Sequence, residues 1–273
     1  MVPDILAKPR ADACAATVLG GPTVVLDLGG LRIVSDPTFD PVGQHGYLTK
    51  TMASVATEEQ LGAVDVVLVS HQDHPDNLDD RGRAFALAAP LLLTGPISAG
   101  KLGPPAAGLA PWTTRAIPRP DGGGELTVLA VPAVHGPEDG ERDADGNVNC
   151  EVVGFVLSGQ GLPTVYLSGD NASIRVVAEI ARRAPAVDAA VLHAGAARVS
   201  PKFRGRPLTM DSRRAAAAAA VLGAGVVVPA HYDGWAHFGE GRDELELAFD
   251  EAGLAALLHA PEHGTWTSLR RDA

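Results

Sequence analysis

The run Ser70-His71-Gln72-Asp73-His74-Pro75-Asp76-Asn77-Leu78-Asp79-Asp80 is the densest stretch of chemistry-bearing side chains in the sequence. It follows an apolar stretch, VDVVLVS at 64–70, and precedes a helix-like segment. Imidazole nitrogens and carboxylate oxygens brought together at a strand end suit Zn, Mn or Fe, and the lack of cysteine in the run argues against a closed structural zinc site. Asp79 and Asp80, with Asn77, also suit the start of the following helix, where carboxylates cap free N–H groups. Three more polar groups end apolar runs in the same way: His135 after VLAVPAV, Asp170 after TVYLSG, and His231 after VVVPA. An ionisable group at the end of a buried strand is costly to desolvate, and one metal centre would compensate all of them. His193 also ends a strand and reads as structural, and Asp36 as a hydrogen-bond acceptor near the site.

The elements that must position these groups show as short runs of Val, Ile and Leu. They include TVVLDL, LRIVS, VDVVLVS and LTVLAVP in the first half, then EVVGFVLS, PTVYLSGD, DAAVLHAG and GVVVPAH in the second. Helix-like segments fall at 80–89, 171–184 with a start at Asn171, 209–222 opened by Thr209, and 242–253. Hairpins at Gly29-Gly30 and Gly122-Gly123-Gly124 are expected from their strand-like flanks. This pattern, appearing twice without a Pro- or Ser-rich linker, predicts one α/β domain over 1–273, built from two similar halves packed as layers. Long polar or glycine-rich loops are expected at 36–53 and 135–150, and loops of that length tend to carry function. Residues 95–125 are too rich in Gly and Pro for assignment.

Composition narrows the function classes. The 273 residues carry 22 Lys+Arg against 33 Asp+Glu, a formal charge of −11, which argues against a nucleic-acid partner. Cys14 and Cys150 stand far apart and form no C-x-x-C pair, which fits a reducing cytoplasm. The start, MVPDILAKPR, has no signal-peptide pattern. The uncharged stretch 215–230 is too short and too broken by Gly223, Gly225 and Pro229 to span a bilayer, and reads as helix, turn and buried strand. A small molecule is therefore the expected partner, and the sequence carries no signal for oligomeric state.

Taken with their order, these motifs resemble those of the metallo-β-lactamase superfamily, whose ligands run H-x-H-x-D-H, then His, Asp and His, each at a strand end. GLRIVSDPTFDP at 30–41, SGD at 168–170 and PAHYDGWAHF at 229–238 are similar to motifs of its L-ascorbate-6-phosphate lactonase-like branch. The resemblance spans nearly the whole chain. It implies a four-layer αββα sandwich with one or two divalent ions (Zn, Mn or Fe) between the halves, held by His71, His74, Asp76, Asn77, His135, Asp170 and His231. The first motif departs from the pattern. Anchoring on Asp76 makes His74 the second histidine, with one residue inserted after His71. Anchoring on His71 instead puts Asp73 in that place and Pro75, which has no ligand atom, where Asp belongs. The first register is preferred. In either, Asn77 replaces the last histidine, and an amide oxygen is a weaker zinc ligand than imidazole. The first position, from His71, His74, His135 and Asp170, is then complete, and the second, from Asp76, Asp170 and His231, is weakened.

The resemblance implies hydrolysis of a small ester, lactone or phosphoester by metal-activated water. His74 and Asp76 are the expected catalytic residues, with Asp76 orienting the nucleophile and handling its proton. The alternative is a metal- or ligand-binding protein that kept the scaffold with a degenerate first motif and lost turnover. Lys202, Arg204 and Arg206 in SPKFRGRPL are candidates for holding an anionic substrate group. Tyr232, Trp235, His237 and Phe238 are candidates for the pocket wall, and His45 lies in the early loop. His259 and His263 read as surface residues. LLLTGPISAGKL satisfies most of the phosphate-binding G-x-x-x-x-G-K-[ST] pattern at Gly95, Gly100 and Lys101, but Leu102 stands where a hydroxyl must hold magnesium, so no nucleotide site is expected.

Overall fold

The turn at Gly29-Gly30 folds two of the most buried stretches of the chain onto each other, and the first half grows from this hairpin. The computed structural model describes residues 10, 13–200 and 202–271. Residues 1–9, on which the signal-peptide reading rests, lie outside the described residues. In chain order the elements are β1 (Cys14–Gly20), β2 (Thr23–Leu28), β3 (Leu31–Ser35), β4 (Gly43–His45), β5 (Leu48–Lys50), β6 (Val66–Leu68), α1 (Asp80–Ala88), β7 (Leu92–Thr94), α2 (Pro96–Leu102), β8 (Ala106–Gly108) and β9 (Thr114–Pro118). They continue with β10 (Glu125–Pro132), β11 (Val153–Gly159), β12 (Val165–Leu167), α3 (Ile174–Arg183), β13 (Ala189–His193), α4 (Ser212–Leu222), β14 (Val226–Ala230), α5 (Arg242–Glu251) and β15 (Thr267–Ser268).

The strands form two mixed sheets, ordered β15-β1-β2-β3-β6-β7-β8 and β14-β13-β12-β11-β10-β9. Their facing sides share one core, in which Leu26, Ile33 and Leu68 of the first sheet belong with Phe155, Leu157 and Val228 of the second. On the outer face of the second sheet, Val177 and Ile180 of α3, Ala215 and Ala219 of α4, and Leu245 and Phe249 of α5 pack with Val156, Tyr166 and Leu192. The first sheet's outer face is covered by Phe39, Leu61, Leu78 and Ala86 of α1. Helices outside two face-to-face sheets make the expected four-layer αββα sandwich of two similar halves.

Boundaries differ from the sequence expectation where a polar side chain has other work. At α3 the cap is Ser173, whose Oγ accepts from Val176 N at 3.1 Å. Asn171 instead accepts from Val134 N at 3.1 Å, tying together the two loops that carry Asp170 and His135. At α4 the cap is Asp211, while Thr209 Oγ1 accepts from Ala197 N at 3.0 Å. The stretch 36–53 is not all loop, because β4 and β5 pair in it. The unassigned 95–125 stretch resolves into α2, β8 and β9.

Candidate metal centre

The site is built from strand ends that point the same way. His71 follows β6, His135 follows β10, Asp170 follows β12, and His231 follows β14. Asp36, just past β3, ties that strand to β6: its N–H donates to Leu68 O at 2.9 Å and its Oδ1 accepts from Ser70 N at 2.7 Å. Where the halves meet, Gly169 (φ +53) would place a Cβ 2.7 Å from Ser70 Cβ, so the approach requires its lack of a side chain. Gly195 is needed for the same reason, since a Cβ there would lie 2.2 Å from His231 O.

Three imidazoles converge in the first group. His71 Nε2 lies 2.9 Å and His135 Nε2 3.0 Å from His74 Nδ1. Donors on about 2.05 Å arms around one zinc ion stand about 2.9–3.4 Å apart at 90–109°. His135 Nδ1 faces the Leu208 carbonyl at 3.0 Å and donates to it, which leaves its Nε2 as a bare lone pair aimed inward. His74 Nδ1 carries at most one proton, too few to satisfy two neighbouring nitrogens, whereas a cation between the three satisfies all of them. Asp170 Oδ2, 3.7 Å from His135 Nε2, is buried without a hydrogen-bond partner. The Cys150 sulfur joins the three histidines, with all four donor atoms within 4.8 Å of one another.

A second group adjoins the first through Asp170. His231 Nδ1 is 3.6 Å from Asp170 Oδ1, and His231 Nε2 is 3.3 Å from Asp76 Oδ2. Neither contact has hydrogen-bond geometry, so His231 is fully buried with both ring nitrogens unpartnered. Asp76 Oδ1 is likewise buried and unpartnered. Native proteins rarely leave so many buried polar atoms unpaired in one place, and a divalent cation is the species that would pair them. His237 Nε2 reaches Asp76 Oδ2 at 2.9 Å, and His193 Nδ1 reaches Asp170 Oδ1 at 2.8 Å.

Protonation follows from burial and neighbours. Burial and the adjacent imidazoles lower His71 far below its ordinary range and bring His74 to about 4. Burial also lowers His135. All three are therefore neutral ligands near pH 7. Burial alone would raise Asp76 and Asp170, but hydrogen bonds from His237 and His193 and the charge of the adjacent His231 outweigh it and hold both carboxyls low. His231 is raised, since Asp170 and Asp76 overcome its desolvation. Burial lifts Asp36 to about 6, against the pull of His193.

The structure brings His71, His74, Asp76, Asn77, His135, Asp170 and His231 together. Asp73 pairs with Lys101, whereas His74 lies with His71 and His135, as the register that makes His74 the second histidine expects. Asn77 is fully buried; its Nδ2 is 3.5 Å from Asp170 Oδ1 and its Oδ1 has no partner. Asp79 is a cap: it accepts from Gly82 N at 2.8 Å and also from Lys50 Nζ at 3.2 Å. The opening above the site is lined by Tyr47, Asn149, Lys202, Leu208 and His237 around His74, Asp76 and His135. Lys202 and His237 thus reach it, whereas four other candidates for substrate contact do not. Tyr232 packs into the helix-side core, and Trp235 is buried with Lys50 over its ring. Arg206 pairs with Asp139 at 2.7 Å on another surface, and Arg204 is not part of the lining. His45 stays on the hairpin, 3.4 Å from Asp40.

Sequence reasoning missed Cys150 and left His193 structural. Neither lies in a ligand-like motif, and the signal that could have found Cys150 is its position shortly before β11, the strand paired with β10, after which His135 comes. The phosphate-loop-like segment is also explained. Ile97 N and Ser98 N, at the start of α2, donate to the Glu151 carboxylate at 3.1 and 2.9 Å, so an internal anion occupies that helix start.

Comparison with known proteins agrees with this geometry. Residues 31–232 match the family described as Beta-lactamase superfamily domain. A UPF0173 metal-dependent hydrolase of Methanosphaerula palustris is 28% identical over 211 residues, covering 74% of this chain and 83% of the relative. Among solved structures, isothiocyanate hydrolase from Delia radicum gut bacteria has a TM-score of 0.76 at 21% identity, covering 93% of this chain and 98% of its own. A possible metal-dependent hydrolase from Veillonella parvula has a TM-score of 0.78 at 15% identity, covering 94% and 100%. With its sandwich, its strand-end donors and a family match over most of its length, the chain belongs to the metallo-β-lactamase superfamily, among relatives described as metal-dependent hydrolases.

Proposed function

We propose that the protein is a metal-dependent hydrolase acting on a small ester, lactone or phosphoester with an anionic group. The observation that carries the reading is the inward convergence of His71, His74 and His135 beside the unpartnered oxygen of Asp170. These four residues hold a first divalent cation (Zn, Mn or Fe), and Asp76, Asp170 and His231 a second, with Asn77 beside them. Bound there, such an ion supplies Lewis acidity and activates water for attack.

The chain's own residues do the rest. Asp76, held as a carboxylate by His231 and His237, orients the attacking water and accepts its proton. Lys202, exposed at the rim and bonded to Asn149, attracts the anionic end of the substrate. The opening between Tyr47, Leu208 and His237 is small, which favours a compact substrate. Kinship with the L-ascorbate-6-phosphate lactonase-like branch would fit a lactone or sugar phosphate, supported by the SGD and PAHYDGWAHF segments. Two free cysteines support a reducing, cytoplasmic setting, and among the described residues no helix is long and apolar enough to cross a membrane.

The test is elemental analysis of purified protein together with hydrolysis of a panel of aryl esters, lactones and phosphodiesters. At least one Zn, Mn or Fe per chain is expected, with turnover falling about 100-fold or more in His71→Ala and Asp170→Ala. Stoichiometric metal without turnover on any member of the panel would return the non-catalytic binding reading instead.

A further inference from the structure

The second group of donors is short of ligands. Asp76, Asp170 and His231 offer one imidazole and two carboxylates, and the fourth neighbour, Asn77, presents an amide whose Nδ2 faces Asp170. Zinc, manganese and iron take four or more ligands, and imidazole serves them better than an amide. His237 meets that need from a distant part of the chain. Its Nε2 lies 2.9 Å from the Asp76 oxygen that His231 Nε2 approaches at 3.3 Å.

The backbone around His237 is fixed. Ala236 N donates to Thr49 O at 2.9 Å, which ties the segment to β5, and His237 O accepts from Arg198 N at 2.9 Å. Phe238 packs against the rings of both His231 and His237, with centroids 4.4 and 4.6 Å apart. The other nearby imidazole, His193, has a donor atom within 4.8 Å of those of Asp170 and His231, and lies on Asp170 Oδ1 at 2.8 Å and near Asp36 Oδ2 at 3.9 Å, whereas His237 lies on Asp76. A site with a ligand vacancy, a fully buried His231 with two unpartnered nitrogens, and a preset fourth imidazole on the shared carboxylate make one arrangement. We propose that His237 is a ligand of the second cation and does there what the amide of Asn77 cannot. This rests on the hydrolase reading for the presence of metal, but concerns only the second position.

The experiment strips metal from the wild type, His237→Ala, and the double variant Asn77→His/His237→Ala. Each is titrated with Zn, counting bound ions per chain by elemental analysis, and with Mn, reading the exchange-coupled electron paramagnetic resonance signal of an ion pair. Wild type is expected to bind two ions and show coupling. His237→Ala should keep the tighter ion, lose at least tenfold in affinity for the other, and lose the coupling, and the double variant should recover both. Circular dichroism checks the fold, and His237→Gln serves if the alanine variant unfolds. Two ions bound with unchanged affinity in the single variant would make His237 only a hydrogen-bond donor to Asp76 and overturn the assignment. So would a wild type that stops at one ion. A wild type that binds none sinks the hydrolase reading itself.

Discussion

Burial, reinforced by the neighbouring imidazole of His135, makes His74 hard to protonate, and this has a measurable consequence in metal-free protein. The folded value for His74 is about 4 against 6.5 for the free side chain, so acid protonates the unfolded chain first. That share of stability is complete above about pH 6.5 and is lost as pH falls toward about 4. In chelator-treated samples, Tm should therefore drop more steeply between pH 7 and 4.5 in wild type than in His74→Gln; equal slopes would contradict the assignment. Cys150 belongs to the same cluster. Bound metal should slow its alkylation at least tenfold, read by mass spectrometry, with buried Cys14 as the internal control. His71, His135, Asp170 and His231 were legible because each ends an apolar run, and His74 because it stands three residues after His71 in a dense polar cluster. The approach of Cys150 to the histidines, and of His237 to Asp76, was not legible, because it depends on loop paths that no local pattern encodes.

At the level of elements, the strands and helices followed from periodicity and caps, and errors gathered where side chains bond across the molecule. Asn171 and Thr209 look like helix starts but bond to neighbouring loops instead. The 36–53 segment looked irregular because β4 and β5 are only three residues each. At the start of α2 the free backbone donors meet Glu151, a residue about fifty positions on that no local pattern connects to this turn. Glu151→Ala removes a carboxylate from two backbone donors, at a cost of about 1–3 kcal/mol. A lower urea midpoint with an unchanged slope is the expected result. Because Glu151 neighbours Cys150, the same substitution should also speed alkylation of that thiol, and an unaltered rate would separate the anchor from the site.

For the whole molecule, the donors divide between the sheets. His71, His74 and Asp76 follow the first, while His135, Asp170 and His231 follow the second. The layered architecture was legible from the repeat of strand and helix runs. The contact between halves at Gly169 was not, since a glycine before an aspartate has many local explanations. Gly169→Ala introduces a methyl group where Ser70 and Val153 O already stand, about 2.7 and 3.0 Å away, on a backbone that disfavours side chains. Destabilisation of about 2 kcal/mol or more is expected, with weaker metal retention on dialysis. Retained metal with lost stability would show that the two sheets can separate slightly without parting the ligands.

Donors split in this way make an ion a rivet across the central seam. Loading it at about a hundred times its dissociation constant adds about 2.7 kcal/mol to whatever the shared apolar core provides. Amide hydrogens of β6 and β12 that are exposed only when the layers slide apart should then exchange more slowly in loaded protein, while those buried under α5 keep their rate. Depriving such a protein of metal would loosen it along one plane before it unfolds.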